Sequence, residues 1–288
     1  MQSRWRAAPL LALVALSSAL TLSVPAAAQP AAGTKDFTPS VGQEGKDVIW
    51  VPTPQSLVDR MLQMADTKST DFVIDLGAGD GRTVITAAKK FGARALGIEY
   101  NPDMVELAKR NAEKEGVAGR AQFIRADIFQ TDFTQATVLT LYLLPSLNVK
   151  LRPSILNMKP GTRVVSHAFT MDDWQPDQVE SSEGRTAYMW IVPAKAGGTW
   201  RVEIAGGPRY EATFIQQYQN IGGSAKGDGK PVQFSNGKLR GDTVSFRIED
   251  AGTPRDFTGR VSGERMEGTL KTANGETKWT ATRVGEAR

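Results

Sequence analysis

The run Phe72-Val-Ile-Asp-Leu76, followed at once by Gly77-Ala-Gly-Asp-Gly81-Arg82, limits what this chain can fold into more tightly than any other feature. It reads as a strand carrying a carboxylate, Asp75, near its end, then a glycine turn, then a helix start. Glycine accepts backbone conformations closed to other residues, so such a turn lets main chain approach a nucleotide-like ligand closely. Val84, Ile85, Ala88 and Phe91 follow at helical spacing, with Asp80 expected as the N-cap.

The same alternation continues from about residue 48 to 195, which predicts an α/β fold with a mostly parallel sheet covered on both faces. Ala95–Glu99, Ala121–Arg125, Thr137–Leu143 and Arg163–His167 read as the second to fifth strands. Val179–Ser182 and Tyr188–Val192, around Glu183-Gly184, read as a closing antiparallel pair. Asn101-Pro102-Asp103 is a helix start with a cap, a proline at the first helical position and an acid in the first turn; Glu106 and Arg110, four apart, can pair on that helix. From residue 196 to 288 helical periodicity disappears. Glycine becomes frequent, and Gly241-Asp242, Gly263-Glu264 and Asn274-Gly275 are hairpin signals. Phe214, Gln216 and Tyr218 alternate, as do Val244, Phe246 and Ile248, so an antiparallel barrel or sandwich is expected.

The N-terminus has the three parts of a secretory leader over residues 1–28: Arg4 and Arg6, an uncharged run from Ala7 to Leu22, and Ala26-Ala27-Ala28. Pro9, the serines and the shortness of the run argue against a membrane span, which predicts a periplasmic or secreted protein; anchoring by an uncleaved leader is the alternative. Residues 29–47 read as a linker. The absence of cysteine excludes a disulfide scaffold and a thiolate metal site, and no His and acid cluster has metal-ligand spacing. The net charge of +4, without a dense Lys/Arg block, gives no electrostatic footprint for nucleic acid.

A dinucleotide fingerprint would need glycine where Arg82 stands. Here an acid precedes the first glycine, suited to the cationic end of a bound amino acid and repulsive to a pyrophosphate. Glu99 ends the second strand, where a carboxylate can accept both hydroxyls of a ribose. Asp127 follows the third strand and can accept from an adenine amine, although Asp132 also follows it. Amino acid, ribose and adenine in that order describe S-adenosylmethionine (SAM).

The block Asp75–Arg82, Glu99 with Asn101-Pro102, and Asp127 resemble class I SAM-dependent methyltransferases, which implies a Rossmann-like seven-stranded sheet. Val51-Pro-Thr-Pro54, Tyr142-Leu-Leu-Pro145 and Gly161-Thr-Arg-Val-Val-Ser-His167 narrow the resemblance to one family. It is the protein-lysine methyltransferase family typified by the mitochondrial enzymes that modify the ATP synthase c subunit and the adenine nucleotide carrier. The resemblance implies that Asp75, Gly77, Gly79, Asp80 and Glu99 hold the cofactor, with Asp127 toward its adenine. It also puts the acceptor beside Tyr142, Leu143, Leu144 and Pro145, with Tyr142 as a candidate for positioning it. No residue stands out as the base.

Other readings remain open at this level. Trp50 and Val51–Pro54 form either an extended linker or a cover for the cofactor, and His167 reads as structural although its titration range would suit a base. Trp200 near the first barrel strand and Arg283 near the last resemble the closing pair of calycin barrels, so the β domain is a candidate to bind a partner or an apolar ligand. Against a lysine methyltransferase stand two alternatives: an exported binding protein with an inactive methyltransferase fold, and a small-molecule methyltransferase.

Overall fold

The computed structural model describes residues 37–272 and 275–285; the leader read over residues 1–28 lies outside them, as does Asn274 of the third hairpin signal. Helix α1 (Gln55–Met64) precedes β1 (Phe72–Leu76), α2 (Arg82–Phe91), β2 (Arg94–Glu99), α3 (Pro102–Lys114), β3 (Ala121–Arg125), β4 (Val138–Leu141), α4 (Pro145–Ile155) and β5 (Arg163–His167). An antiparallel pair, β6 (Gln178–Ser182) and β7 (Arg185–Ile191), completes a seven-stranded sheet in the order β3-β2-β1-β4-β5-β7-β6. The five strands from β1 to β5 are parallel; β1, β4 and β5 are buried on both faces and read as apolar runs, whereas the edge strand β3 leaves Gln122, Ile124 and Arg125 exposed. Val73, Val138 and Val165 face one core with α1, α2 and α3; Ile74, Leu139 and Val164 face the other with Leu151 and Ile155 of α4.

Several local expectations change. Helix α2 is capped by Gly81 at φ 86, not by Asp80, because the Asp80 carboxylate is drawn onto the Arg82 guanidinium (Nε to Oδ1, 3.0 Å). Glu106 pairs with Lys109 at 2.8 Å rather than with Arg110. The fourth strand ends at Leu141, since Pro145 already opens α4, and Tyr142–Leu144 form the turn between them. Tyr218 does not continue the alternation of Phe214 and Gln216 but lies beyond the strand, in a turn.

The second half is a closed eight-stranded barrel of β8 (Gly198–Ile204), β9 (Arg209–Gln217), β10 (Asn220–Gly227), β11 (Lys230–Arg240), β12 (Thr243–Asp250), β13 (Thr253–Ser262), β14 (Arg265–Thr272) and β15 (Gly275–Gly285). Each strand pairs with its sequence neighbour, and β15 returns to β8. Closure removes the free edges that an open sheet would expose. It is locked where Arg283 lies over the Trp200 ring, 4.4 Å from its centroid, while its guanidinium donates to the carbonyls of Lys195 and Gly197. Aromatic rings fill the interior: Phe246 stacks on Phe257 at 4.7 Å and meets Phe214 and Trp279 edge-on at 5.3 and 5.5 Å. Among the described residues no helix is long and apolar enough to cross a membrane.

Because Phe246 is the hub of this ring cluster, Phe246→Ala should cost about 3–5 kcal/mol, the usual cost of truncating a buried aromatic. Urea unfolding followed by tryptophan fluorescence would show it as a lowered midpoint.

Candidate functional site

Strand order reverses between β1 and β4, and a cleft of about 740 Å³ opens there at the carboxyl ends of the parallel strands. Such switch points are where open α/β sheets bind ligands, because adjacent connections leave in opposite directions. Asp75, Gly77, Gly79, Asp80, Glu99, Asp127, Tyr142, Leu143 and Leu144 all line this cleft, whereas Pro145 does not and starts α4 behind the Tyr142–Leu144 turn.

The glycine loop forms one wall. Gly77, Gly79 and Gly81 have φ of 77, 54 and 86. A Cβ on Gly79 would lie 2.6 Å from Trp50 Nε1, and one on Gly81 would lie 2.7 Å from the Phe123 ring, so both need glycine for space as well as for conformation. Glu99 holds the loop in place. Its Oε2 accepts from the Gly79 amide and its Oε1 from the Asn101 amide, both at 2.9 Å, leaving lone pairs toward the cleft. Asp80 is paired with Arg82, whose Nη1 also donates to the Thr53 carbonyl at 2.8 Å.

Asp75 is buried and accepts from Thr140 Oγ1 at 2.6 Å. Burial pushes its carboxyl up to about 7; the Thr140 and Thr83 hydroxyls oppose the shift, and the nearby Glu99 and Asp80 carboxylates add to it. At the other end of the cleft Asp127 accepts from the Phe129 amide at 2.9 Å and pairs with Lys46 Nζ at 2.6 Å. The Lys46 ammonium holds the Asp127 carboxyl below the usual carboxylate range.

Lys46 belongs to the stretch expected as linker. Residues 42–50 instead form a small hairpin, in which the Gly42 amide donates to the Trp50 carbonyl and the Trp50 amide to the Gln43 carbonyl, both at 2.9 Å, and lie along the cleft. Sequence reading left Lys46 out because its partner is eighty-one residues away and no local pattern marks it. Trp50 and Thr53 also line the cleft, which favours the cover over the extended linker.

Tyr142, Leu143, Leu144, Leu147 and Phe169 make the opposite, apolar end. Tyr142 stacks on His167 at 3.8 Å and on Phe169 at 6.0 Å. His167 is buried behind Tyr142, with Nδ1 3.0 Å from Thr53 Oγ1, and burial pushes its imidazole down to about 4. It is therefore neutral at ordinary pH and is not among the residues that line the cleft. Among the described residues no group of three or more His, Cys, Asp or Glu could hold a metal ion.

Comparison with known proteins gives a consistent result. The ANTKMT methyltransferase domain family matches residues 75–178, ending ahead of the first barrel strand. A protein-lysine N-methyltransferase of Saccharolobus islandicus is 42% identical over 151 residues, 50% of this chain and 94% of that protein. The adenine nucleotide translocase lysine N-methyltransferase of Mus musculus is 36% identical over 128 residues, 44% of this chain and 55% of the mouse protein. A solved structure described as an RNA methyltransferase from Salinibacter ruber, in complex with S-adenosyl-L-homocysteine (SAH), is 52% identical. It covers 50% of this chain and 95% of its own, with a TM-score of 0.50.

Asp75 and His167 make opposite contributions to stability against pH. The folded state binds the Asp75 proton more tightly than the unfolded chain, so its contribution is lost as pH rises from about 4 toward 7. It binds the His167 proton less tightly, so stability is gained as pH rises from about 4 to about 6.5. Relative to the parent, Asp75→Asn should therefore show a Tm that rises more steeply over pH 4.5–6.5, and His167→Asn one that falls. Calorimetric scans across that range check both signs.

Proposed function

The chain belongs to the protein-lysine N-methyltransferase family, and from that membership we propose that it transfers the methyl group of SAM to a lysine side chain of a protein. It is a SAM-dependent methyltransferase. The observation that carries the reading is the order of carboxylates along one cleft, set by adjacent strands: Asp75 on β1, Glu99 at the end of β2 and Asp127 just past β3.

These residues fit the cofactor. Asp75 is a buried carboxyl beside two neutral hydroxyls, so a bound ammonium would ionise it. Glu99 keeps acceptor capacity for a ribose diol after binding two amides, and Asp127 can accept an adenine amine once it shares or releases Lys46. Bound SAM supplies an electrophilic methyl group that passes in line to a nucleophile, with no covalent enzyme intermediate required.

The chain's own contribution is alignment and desolvation. A lysine ammonium, with a reference pKa of about 10.4, must lose its proton before its nitrogen can attack. The apolar end formed by Tyr142, Leu143, Leu147 and Phe169 disfavours the charged form, and the Tyr142 hydroxyl can accept an N–H to orient the amine. His167 supports the Tyr142 ring from behind and takes no proton from the acceptor.

RNA as acceptor is disfavoured by charge. The two basic side chains that line the cleft, Lys46 and Arg82, are each paired with an aspartate, leaving no free cationic track for a phosphate backbone. A small-molecule acceptor has no comparable support. We also propose export, on the strength of Arg4 and Arg6, the uncharged run and the alanines of the leader. Recovery of the protein in the cytoplasm with its leader intact would overturn that.

Incubating the protein with methyl-labelled SAM and lysate should place label in methyl-lysine after acid hydrolysis of the protein fraction. Label confined to RNA or to small molecules would refute the lysine reading. Asp75→Ala and Glu99→Ala should each weaken calorimetric SAM binding by roughly 10- to 10²-fold, the range for a lost hydrogen bond to a charged group.

A further inference from the structure

One turn of the barrel touches the segment that supplies Phe169 to the acceptor end of the cleft. β9 and β10 are joined by two residues, Tyr218 and Gln219, and both side chains leave the barrel for the segment 168–175 that follows β5. The Tyr218 ring stacks on Trp174 at 5.7 Å, and its hydroxyl meets the two Asp173 oxygens at 2.9 and 3.0 Å. Gln219 is buried; it accepts from the Trp174 indole N–H at 3.0 Å and donates to the Gln175 carbonyl at 2.8 Å. Gln216, near the end of β9, fixes the turn by donating to the Tyr218 carbonyl at 2.8 Å.

Backbone conformation marks the same contact. Two-residue hairpins favour glycine, asparagine or aspartate where φ is positive, yet Tyr218 stands there at φ 54. Across the contact Ala168 and Asp172 are also left-handed, at φ 63 and 59. Non-glycine residues persist in that region only where surrounding contacts hold them. From the sheet side, α4 adds Asn148, which donates to the Phe169 and Thr170 carbonyls, and Arg152, which reaches the Met171 carbonyl and Asp173. The segment is thus gripped between α4 and the barrel turn. Its first turn presents Phe169 to the cleft, against Tyr142.

We propose that the β9–β10 turn is a positioning element for methyl transfer: Tyr218 and Gln219 hold the 168–175 segment, and through it Phe169 and Tyr142, at the acceptor end of the cleft. The barrel then acts on the chemistry without touching it, which fits an interior packed with aromatic rings. This rests on the proposed acceptor side of the cleft, since Asp75 and Glu99 lie on β1 and β2, Asp127 just past β3, and none of them bonds the turn.

The test uses the full chain and three variants. Tyr218→Gly removes ring and hydroxyl while suiting the positive φ, so it adds no backbone strain; Gln219→Ala removes the bridge; Tyr218→Phe keeps the ring. Hydrogen exchange should quicken about tenfold or more over 168–175 in the first two and stay unchanged over 75–82. With labelled SAM at saturation and lysate protein as acceptor, their initial rates should fall by between about tenfold and about 10²-fold. Calorimetric affinity for SAH should match the parent, and Tyr218→Phe should recover most of the rate. Unchanged exchange over 168–175 would overturn the proposal, as would faster exchange with an unchanged rate, or a parallel loss of SAH affinity. A parent protein that transfers no methyl would instead sink the lysine reading and the catalytic half of this one, while exchange would still decide whether the turn holds the segment.

Discussion

The cleft depends on one carboxylate. Glu99 accepts from the amides of Gly79 and Asn101 and so ties the turn after β1 to the turn after β2. An ionised carboxylate is a stronger acceptor than a neutral group, and here it holds a loop whose glycines have positive φ and no side chains to pin them. Asn101, placed by that bond, caps α3 through the Asp103 and Met104 amides. Asn111 of α3 returns to the Asp80 carbonyl at 2.9 Å, closing a circuit of loop, strand end and helix. The loop is thereby held by the chain's own bonds, and preorganised groups spend little of their binding energy on ordering.

What was legible in the sequence follows from how local each signal is. β1 and β5 were readable to the residue because strands buried on both faces are bounded runs dominated by buried residues, and the edge strand β3 was readable although only its Ala121 and Phe123 are buried. The helix start at Asn101-Pro102-Asp103 was legible because a cap, a proline and an acid each act within one turn. Asp80 misled because Gly81, at positive φ, takes the cap position one residue later, while the Asp80 carboxylate bonds the Arg82 guanidinium and, more weakly, the Arg82 amide. Lys46 gave no pattern at all, and Trp50 and Val51–Pro54 stayed open between linker and cover, since Lys46, Trp50 and Thr53 each act on a partner far along the chain: Asp127, Gly79 and His167.

The same distinction separates the two ends of the cleft. The proposed cofactor end is assembled from residues at or just beyond consecutive strand ends, Asp75, Glu99 and Asp127, so its chemistry is written along one stretch of chain. The proposed acceptor end draws on the residues before α1, the turn after β4, the segment after β5 and, behind that segment, a hairpin of the barrel. Its geometry exists only once the sheet and the barrel have both folded. A change of acceptor therefore needs no change in the glycine loop: altering how the barrel turn seats Trp174 and Asp173 would move Phe169 against Tyr142 and leave Glu99 and its two amides where they are. On the proposed reading, cofactor choice belongs to the sheet and to the 42–50 hairpin that lies along the cleft, and acceptor choice to the sheet and barrel together.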